Sequence, residues 1–436
     1  MAIQSPTGFN DMLPDDELFW EEFQAVARQV FGLYGYNQVE VPIAEQTELF
    51  VRGIGEATDV VSKEMFATFS GENLKTLLDG GNLKSKSRLS LRPEGTAGVV
   101  RAVVQHDLVP QGGAPAKLMY AGPMFRAERV QKGRLRQFHQ VGVECLGAEE
   151  PTIDAEAIIM LMRFYEKVGI PAEKMNLLIN SMGCEKCRPA YREAVRAYMD
   201  QHADELCETC NTRKEINPLR AFDCKNDGCK EVMAGAPRIS DHLCPDCKAH
   251  YDQVREYLEL AGISYEEDYK LVRGLDYYTR TVFEVQASDG VGAQSAIGGG
   301  GRYDKLAEEV GGRPTPGLGF ALGFERCKLV LEACGKEFPK AAKCDLFIAC
   351  VDSSVRSAAF KLMQSCRDAG VTAEMDHQGR SLKGQFKLAD KMNAANVAIL
   401  GPDELANGQV KLRNMATHDE MLVKLEDAVS TLLATE

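Results

Sequence analysis

Three segments, KLMYAG (117–122), FHQVGVECL (138–146) and TVFEVQA (281–287), have the apolar, β-branched character of strands. The loops between such segments are too short or too polar to supply crossover helices. Parallel neighbours require those helices, so the sequence predicts an antiparallel sheet with flanking helices. Within FHQVGVECL, period-two alternation puts Val141, Val143 and Cys145 on one face and Gln140, Gly142 and Glu144 on the other. The first set suits a core. The second is either a solvent-facing side or the floor of a ligand site, where glycine lets a small molecule approach the sheet.

Residues 16–34 predict an amphipathic helix. Leu18, Phe19, Phe23, Val26, Ala27, Val30, Phe31 and Tyr34 recur at three- and four-residue steps after Pro14. A strand is expected over 35–42, closed by Pro42. Residues 71–88, rich in Gly, Asn, Lys and Ser, read as a hairpin or flexible loop. LSLRPEGTAGVVRAVV reads as strand, turn and helix. The last hundred residues change character. LFIACV, the helical spacing of Val355, Ala359, Leu362, Met363 and Cys366, AGVTAEM, a second helix and NVAIL (396–400) make a β-α-β-α-β alternation. The expected layout is α+β. An antiparallel-sheet domain spans 1–334 and carries a cysteine-rich insertion over 184–250. A linker over 335–343 leads to a C-terminal α/β domain over 344–436.

A length of 436 residues accommodates that division, and 44% hydrophobic content can fill the cores. No apolar run approaches the ~20 residues that cross a bilayer, and the N-terminus has no basic-then-apolar signal pattern, so no membrane partner is expected. A net charge of −13 argues against indiscriminate nucleic-acid coating. It leaves room for a local basic patch. One exists: Arg126, Arg129, Lys132, Arg134 and Arg136 face a single acid, Glu128, in eleven residues centred near Gly133. Such a loop is either a solvated turn or a phosphate-binding loop. The chain has no GxxxxGK[ST], no HExxH, no GxSxG and no dinucleotide fingerprint.

Three more segments are unusual. LVRGLDYYTRTVFEV (271–285) sets Arg273 and Gly274 before paired tyrosines. GGGGRYDKL (298–306) is either a flexible hairpin or backbone passing very close to something. PGLGFALGFERCKLV (316–330) runs from glycines into a helix bearing Arg326. Cysteine is uneven too: eight of 14 lie between Cys184 and Cys247 as four pairs, Cys184/Cys187, Cys207/Cys210, Cys224/Cys229 and Cys244/Cys247. Their spacing suits one or two tetrahedral structural zinc sites, with reduced buried thiols as the alternative. Joining 207/210 with 224/229, and 184/187 with 244/247, is one pairing among those the spacing allows.

Taken together, YGYNQVEVPIAEQTELF, GPMFRAERVQKGRLRQFHQ and GLGFALGFER resemble the three signature motifs of class II aminoacyl-tRNA synthetases. LVRGLDYYTRTVFE and GGGGRYD resemble the two histidine-specific segments of the histidyl-tRNA synthetase family. RSLKGQFKLADK (380–391) and VAILGPDEL resemble its C-terminal anticodon-binding domain. The resemblance covers essentially the whole chain. It implies a bacterial-type cytoplasmic enzyme that joins L-histidine to tRNA(His), with ATP and Mg²⁺. It also implies a homodimer with the first motif, ending at Pro42, at the interface. The family's phosphate-binding arginines fall on Arg126, Arg273 and Arg326. Its substrate pocket falls on Glu94, Gly95, Thr96, Gln140, Glu144, Tyr277 and Tyr278. The acceptor end of tRNA would meet Arg129 and Gln131. Adenylation assigns zinc no chemical step, so any zinc is structural. Two rival readings are a catalytically silent regulatory paralogue of histidine biosynthesis and a zinc-stabilised nucleic-acid-binding protein. The presence of every expected catalytic residue type argues against the former.

Overall fold

A computed structural model describes residues 2–56, 58–272, 274–290, 295–340 and 344–434. The chain forms two compact units, Met1–Pro339 and Lys340–Glu436.

The first unit is built on an eight-stranded sheet: β1 (Asn37–Gln38), β5 (Ala116–Phe125), β6 (Gln137–Leu146), β7 (Met175–Ser181), β8 (Glu266–Glu267), β9 (Thr279–Ala287), β10 (Ala296–Arg302) and β11 (Gly317–Gly323). Their spatial order is β1-β5-β6-β11-β10-β9-β7-β8. Every pairing from β5 across to β7 is antiparallel, and only the two-residue edge strands β1 and β8 pair in parallel. A three-stranded sheet of β2 (Ala44–Gln46), β3 (Ala67–Thr68) and β4 (Leu89–Leu91) stands beside it.

Side-chain alternation sorts the two faces. Val141, Val143 and Cys145 lie in the larger apolar core with Phe283, Val285, Leu318 and Phe320. That core is roofed by the helix Pro14–Gly32, which buries Phe19, Phe23, Ala27, Val30 and Phe31 at helical spacing, and by the helices Pro151–Val168 and Pro245–Leu260. The opposite face carries a second core with Tyr120, Tyr277, Tyr278 and Tyr303, and the functional groups stand there.

Two sequence expectations are corrected. The strand expected over 35–42 is reduced to Asn37–Gln38, and the Val39 amide adds a bond to the Met119 carbonyl at 2.8 Å. Part of the 71–88 segment is the helix Gly71–Leu78 instead of a hairpin. The Ser70 hydroxyl accepts from the Asn73 amide at 3.2 Å and caps it, and Leu74, Leu77 and Leu78 follow at helical spacing. Of the alternatives for the four-glycine run, close approach is the one realised: β10 is a central strand. A Cβ at Gly300 would run into the Gly319 carbonyl.

The 184–250 insertion has a small apolar core of its own. Tyr191, Val195 and Met199 from the helix Arg188–Gln201 pack with Leu206, Leu219 and Met233. The second unit has the sheet order β13-β12-β14-β15-β16. β12 (Leu346–Cys350), β13 (Ala373–Met375) and β14 (Asn396–Leu400) are the parallel strands read from the alternation. Two more, β15 (Gln409–Asn414) and β16 (Glu420–Lys424), extend it in antiparallel fashion.

Candidate active site

The polar face of the central strands opens into a cavity of about 500 Å³. Its floor includes Gln140 of β6, Gly298 and Gly299 of β10 and Ala321 of β11, and Tyr277 and Tyr278 stand in its wall. Of the residues expected from the sequence, Glu94, Thr96, Arg126, Gln140, Tyr277, Tyr278 and Arg326 line this one space. Arg273 lies outside the described residues.

The carboxylates are placed by local chemistry. Glu94 turns back to cap the helix Thr96–Gln105: its oxygens accept from the amides of Thr96 at 2.6 Å and Ala97 at 3.0 Å. Burial pushes its carboxyl up from the ordinary carboxylate value, against the pull of those amides. Gly95 does not line the cavity. It lies against the Tyr120 ring, which a Cβ there would strike. Glu144 is set one layer deeper than a ligand contact. It is fully buried, accepts from the Thr96 hydroxyl at 2.7 Å and from the Tyr303 phenol, and reaches the cavity through Thr96. Burial raises its carboxyl well above the usual range, while the Tyr303 and Thr96 hydroxyls pull the other way. Gly319, directly across the ladder, is required here, since a Cβ would occupy the position of the Glu144 carboxylate.

The basic loop behaves as its composition suggested. Gln131 and Arg134 form a β-bridge around Gly133, whose φ of 71° favours glycine. The turn splits the cations. Arg126 and Arg134 point into the cavity, while Arg129 and Gln131 are exposed outside it. Arg126 is anchored by its Nε on the Pro93 carbonyl at 2.9 Å and by the Phe138 ring, 5.4 Å from its guanidinium. Arg326, from the first turn of the helix Phe324–Ala333, donates to the carbonyls of Gly133 at 3.2 Å and Ala296 at 2.7 Å. Burial lowers its pKa, and Arg134 adds to the effect.

The cavity is thus bipolar. Three guanidiniums gather where β6 begins, near Phe138. Glu128 lies among them, 2.7 Å from Arg134, while tilted and edge-on phenols gather toward buried Glu144, ~20 Å along the same strand, and buried Glu94 is within electrostatic reach of both Arg126 and Tyr277. The rings of Tyr277 and Tyr278 are 4.6 Å apart, and that of Tyr303 is 5.6 Å from Tyr277. The Gln140 amide oxygen is buried with no hydrogen-bond partner among the described residues, so the floor has an acceptor left for a ligand.

Several cavity residues were not singled out from sequence. Glu284 and Gln286 share one face of β9, so the alternation argument used for β6 would have found them. Glu325 sits inside a segment that was noticed for its neighbours, and Glu128 and Arg134 were named in the basic loop without a place in the pocket. Tyr303 had no local signal, because only the sheet register sets it over Glu144.

The four cysteine pairs assemble into two groups. One joins Cys184, Cys187, Cys244 and Cys247; the other joins Cys207, Cys210, Cys224 and Cys229. Within each, all sulfurs lie within 4.8 Å of one another. This is the pairing named above as one of those open to the sequence. No two cysteines are disulfide-bonded among the described residues.

Such a sheet, with arginines at one end and an acid-and-phenol pocket at the other, is the catalytic architecture of a class II aminoacyl-tRNA synthetase. The histidyl-tRNA synthetase family model matches residues 8–327, and an anticodon-binding domain model matches 345–435. Histidine–tRNA ligases of Moorella thermoacetica and Desulforamulus reducens are each 46% identical to the chain. They align with 98% of it and with 97% and 98% of their own lengths. The apo crystal structure of histidyl-tRNA synthetase from S. aureus superposes with a TM-score of 0.79 at 35% identity, covering 99% of this chain and 100% of that one. The chain belongs to the histidyl-tRNA synthetase family. Among the described residues no helix is long and apolar enough to cross a membrane.

Proposed function

We propose that this protein is a histidine–tRNA ligase. It condenses L-histidine with ATP to histidyl-adenylate, releasing pyrophosphate, then passes the histidyl group to the 3′ end of tRNA(His). The observation that carries the reading is the bipolar cavity. Adenylation brings a carboxylate against an α-phosphate, and fixed cations offset the charge that gathers in the transition state. Arg126 and Arg273 serve the α-phosphate and Arg326 the γ-phosphate. The carboxylates of Glu128 and Glu284, near enough to act on Arg326, are oxygen donors that fit Mg²⁺, which would screen the phosphates.

The other end recognises histidine. Glu94, Thr96 and the unpartnered oxygen of Gln140 accept from its ammonium. The Tyr277 and Tyr278 phenols meet its imidazole, backed by Glu144 through Thr96 and Tyr303. Buried polar groups of this kind reject leucine or glutamine because those would leave them unpaired. Arg129 and Gln131, exposed on the turn, receive the tRNA acceptor end, and residues 345–435 receive the anticodon. The protein works in the cytoplasm as a homodimer, with the segment ending at Pro42 in the interface. Each four-cysteine group holds one structural zinc.

Aminoacylation of tRNA(His) with labelled histidine tests the reading. Charging is expected with histidine only. A chain that binds tRNA but fails ATP–pyrophosphate exchange would be the nucleic-acid-binding protein instead, and one that never charges tRNA would be the regulatory paralogue. Arg273→Ala is expected to cut exchange by orders of magnitude with the fold intact.

A further inference from the structure

The two four-cysteine groups differ in what they join. Cys207, Cys210, Cys224 and Cys229 lie within the insertion: the Cys207 amide donates to Cys229 Sγ at 3.2 Å, the surrounding apolar core is mostly the insertion's own, and the loop between them reaches the pocket segment through Arg220, which donates to the Asp276 carboxylate at 2.9 Å and the Gly274 carbonyl at 3.1 Å. Cys184, Cys187, Cys244 and Cys247 sit at its neck, where the chain leaves β7 and where it returns into the helix Pro245–Leu260.

Both groups fit one tetrahedral ion. A Zn–S bond of about 2.3 Å sets sulfurs about 3.8 Å apart at the tetrahedron's edges. The sulfurs of Cys184 and Cys187 are 3.7 Å apart, those of Cys184 and Cys244 3.9 Å, and those of Cys207 and Cys224 3.9 Å. Amides aimed at sulfur, from Cys207 and from Cys244 (to Cys187 Sγ at 3.1 Å), offset part of the negative charge of four thiolates.

The neck group abuts the histidine end of the cavity. Arg188, the residue after Cys187, donates from its guanidinium to the carbonyl of Tyr278 and, at 3.2 Å, to that of Met182. Just before Cys184 the backbone is stitched to the strand that follows the tyrosines: the Met182 amide donates to the Arg280 carbonyl at 2.6 Å, and the Arg280 amide to the Gly183 carbonyl at 2.9 Å. Gly183 holds a φ of 62° and packs against Cys187, where a Cβ would come within 2.7 Å of that side chain. Beyond Cys247, His250 reaches Asp154, the partner of the β10 arginine Arg302.

We infer that the neck group, loaded with zinc, positions the amino-acid pocket by fixing the Cys187–Arg188 turn against the Tyr278 backbone, whereas the distal group, whose loop reaches that segment only through the Arg220 side chain, chiefly holds the insertion together. The inference rests on zinc occupying both groups as proposed above, and it goes beyond that by making one ion a determinant of histidine affinity. Arg188 is then a positioning residue that touches no substrate.

The test uses the full-length protein purified without chelators. Metal analysis of the parent, of Cys247→Ser and of Cys229→Ser is combined with ATP–pyrophosphate exchange over a range of histidine and ATP. The parent should carry two zinc ions and each variant one. Cys247→Ser should raise the histidine KM about tenfold or more while the ATP KM stays within about threefold. Cys229→Ser should leave the ATP KM near the parent's and raise the histidine KM less than Cys247→Ser does. Arg188→Ala should keep both ions and reproduce the histidine effect, and Arg188→Lys should partly restore it. This pair carries the test if Cys247→Ser does not fold. A parent with less than a few tenths of an equivalent of zinc, or with iron in its place, overturns the metal reading. Zinc present as expected, with an unchanged histidine KM in Cys247→Ser and Arg188→Ala, overturns the positioning role alone.

Discussion

Asp154 and Arg302 form a fully buried ion pair beneath the active-site sheet, and Asp154→Asn is the perturbation that probes it best. The Asp154 carboxylate accepts from Arg302 Nε at 3.2 Å and from its terminal nitrogen, and lies 3.2 Å from His250 Nε2. Asparagine keeps the shape but removes the charge and turns an NH₂ toward guanidinium N–H groups. Arg302 would retain the Ala148 carbonyl at 2.9 Å and Asp304 at 3.3 Å. Removing one member of a buried pair costs about 3–5 kcal/mol. Asp304, itself about a quarter exposed, compensates in part, so we expect about 3 kcal/mol. At roughly 2 °C per kcal/mol for a unit of this size, the transition of the catalytic unit should fall by about 6 °C, read by differential scanning calorimetry. The double variant Asp154→Leu/Arg302→Met removes both charges and should melt closer to the parent than Asp154→Asn does. A single-variant loss below about 1 kcal/mol, or a double variant no better than the single one, would refute the assignment of this pair as a closed electrostatic unit.

The same pair sets an acid limit. Burial opposes the Asp154 charge, but Arg302 beside it prevails and holds the carboxyl below its ordinary value. The unfolded chain then binds the proton more tightly, so this stability is complete above about pH 4 and drains away as pH falls through the lower folded value. Asp154→Asn should lack that acid-dependent loss in denaturant titrations at several pH values. Tyr303→Phe leaves the Glu144 carboxylate with one fewer donor at a cost of about 1–3 kcal/mol. Steady-state exchange should show a raised histidine KM with an ATP KM near the parent's. Gly319→Ala drives a methyl into the Glu144 carboxylate, and with overpacking costs of about 1–3 kcal/mol both melting temperature and exchange rate should drop. Arg129→Ala, outside the cavity, should raise the tRNA KM in aminoacylation and leave pyrophosphate exchange unchanged.

Much of the site could be read along single strands because its signals are local. Alternation in FHQVGVECL separated Val141, Val143 and Cys145 from Gln140, Gly142 and Glu144, and the two faces of β6 follow that division. The loop around Gly133 announced itself by charge. Helix Pro14–Gly32 announced itself by its three- and four-residue steps. The 71–88 segment misled because its polar composition looks like a loop, while the Ser70 cap and the leucines after it make a short helix.

Other features exist only through pairing across long stretches of chain. Glu144 lies beneath the ligand surface because β11 brings glycine opposite it and β10 delivers Tyr303 to its carboxylate. The four-glycine run became a central strand because β11 presses its carbonyls where side chains would stand. Which cysteines meet was open to the spacing and was settled by the fold of the insertion, which returns Cys244 and Cys247 to the neck it left at Cys184. Period, charge and turn chemistry are properties of neighbouring residues, so the chain carries them in any conformation. Depth, register and the coming together of distant sulfurs and carboxylates depend on which strands pair, and they arise when the sheet closes.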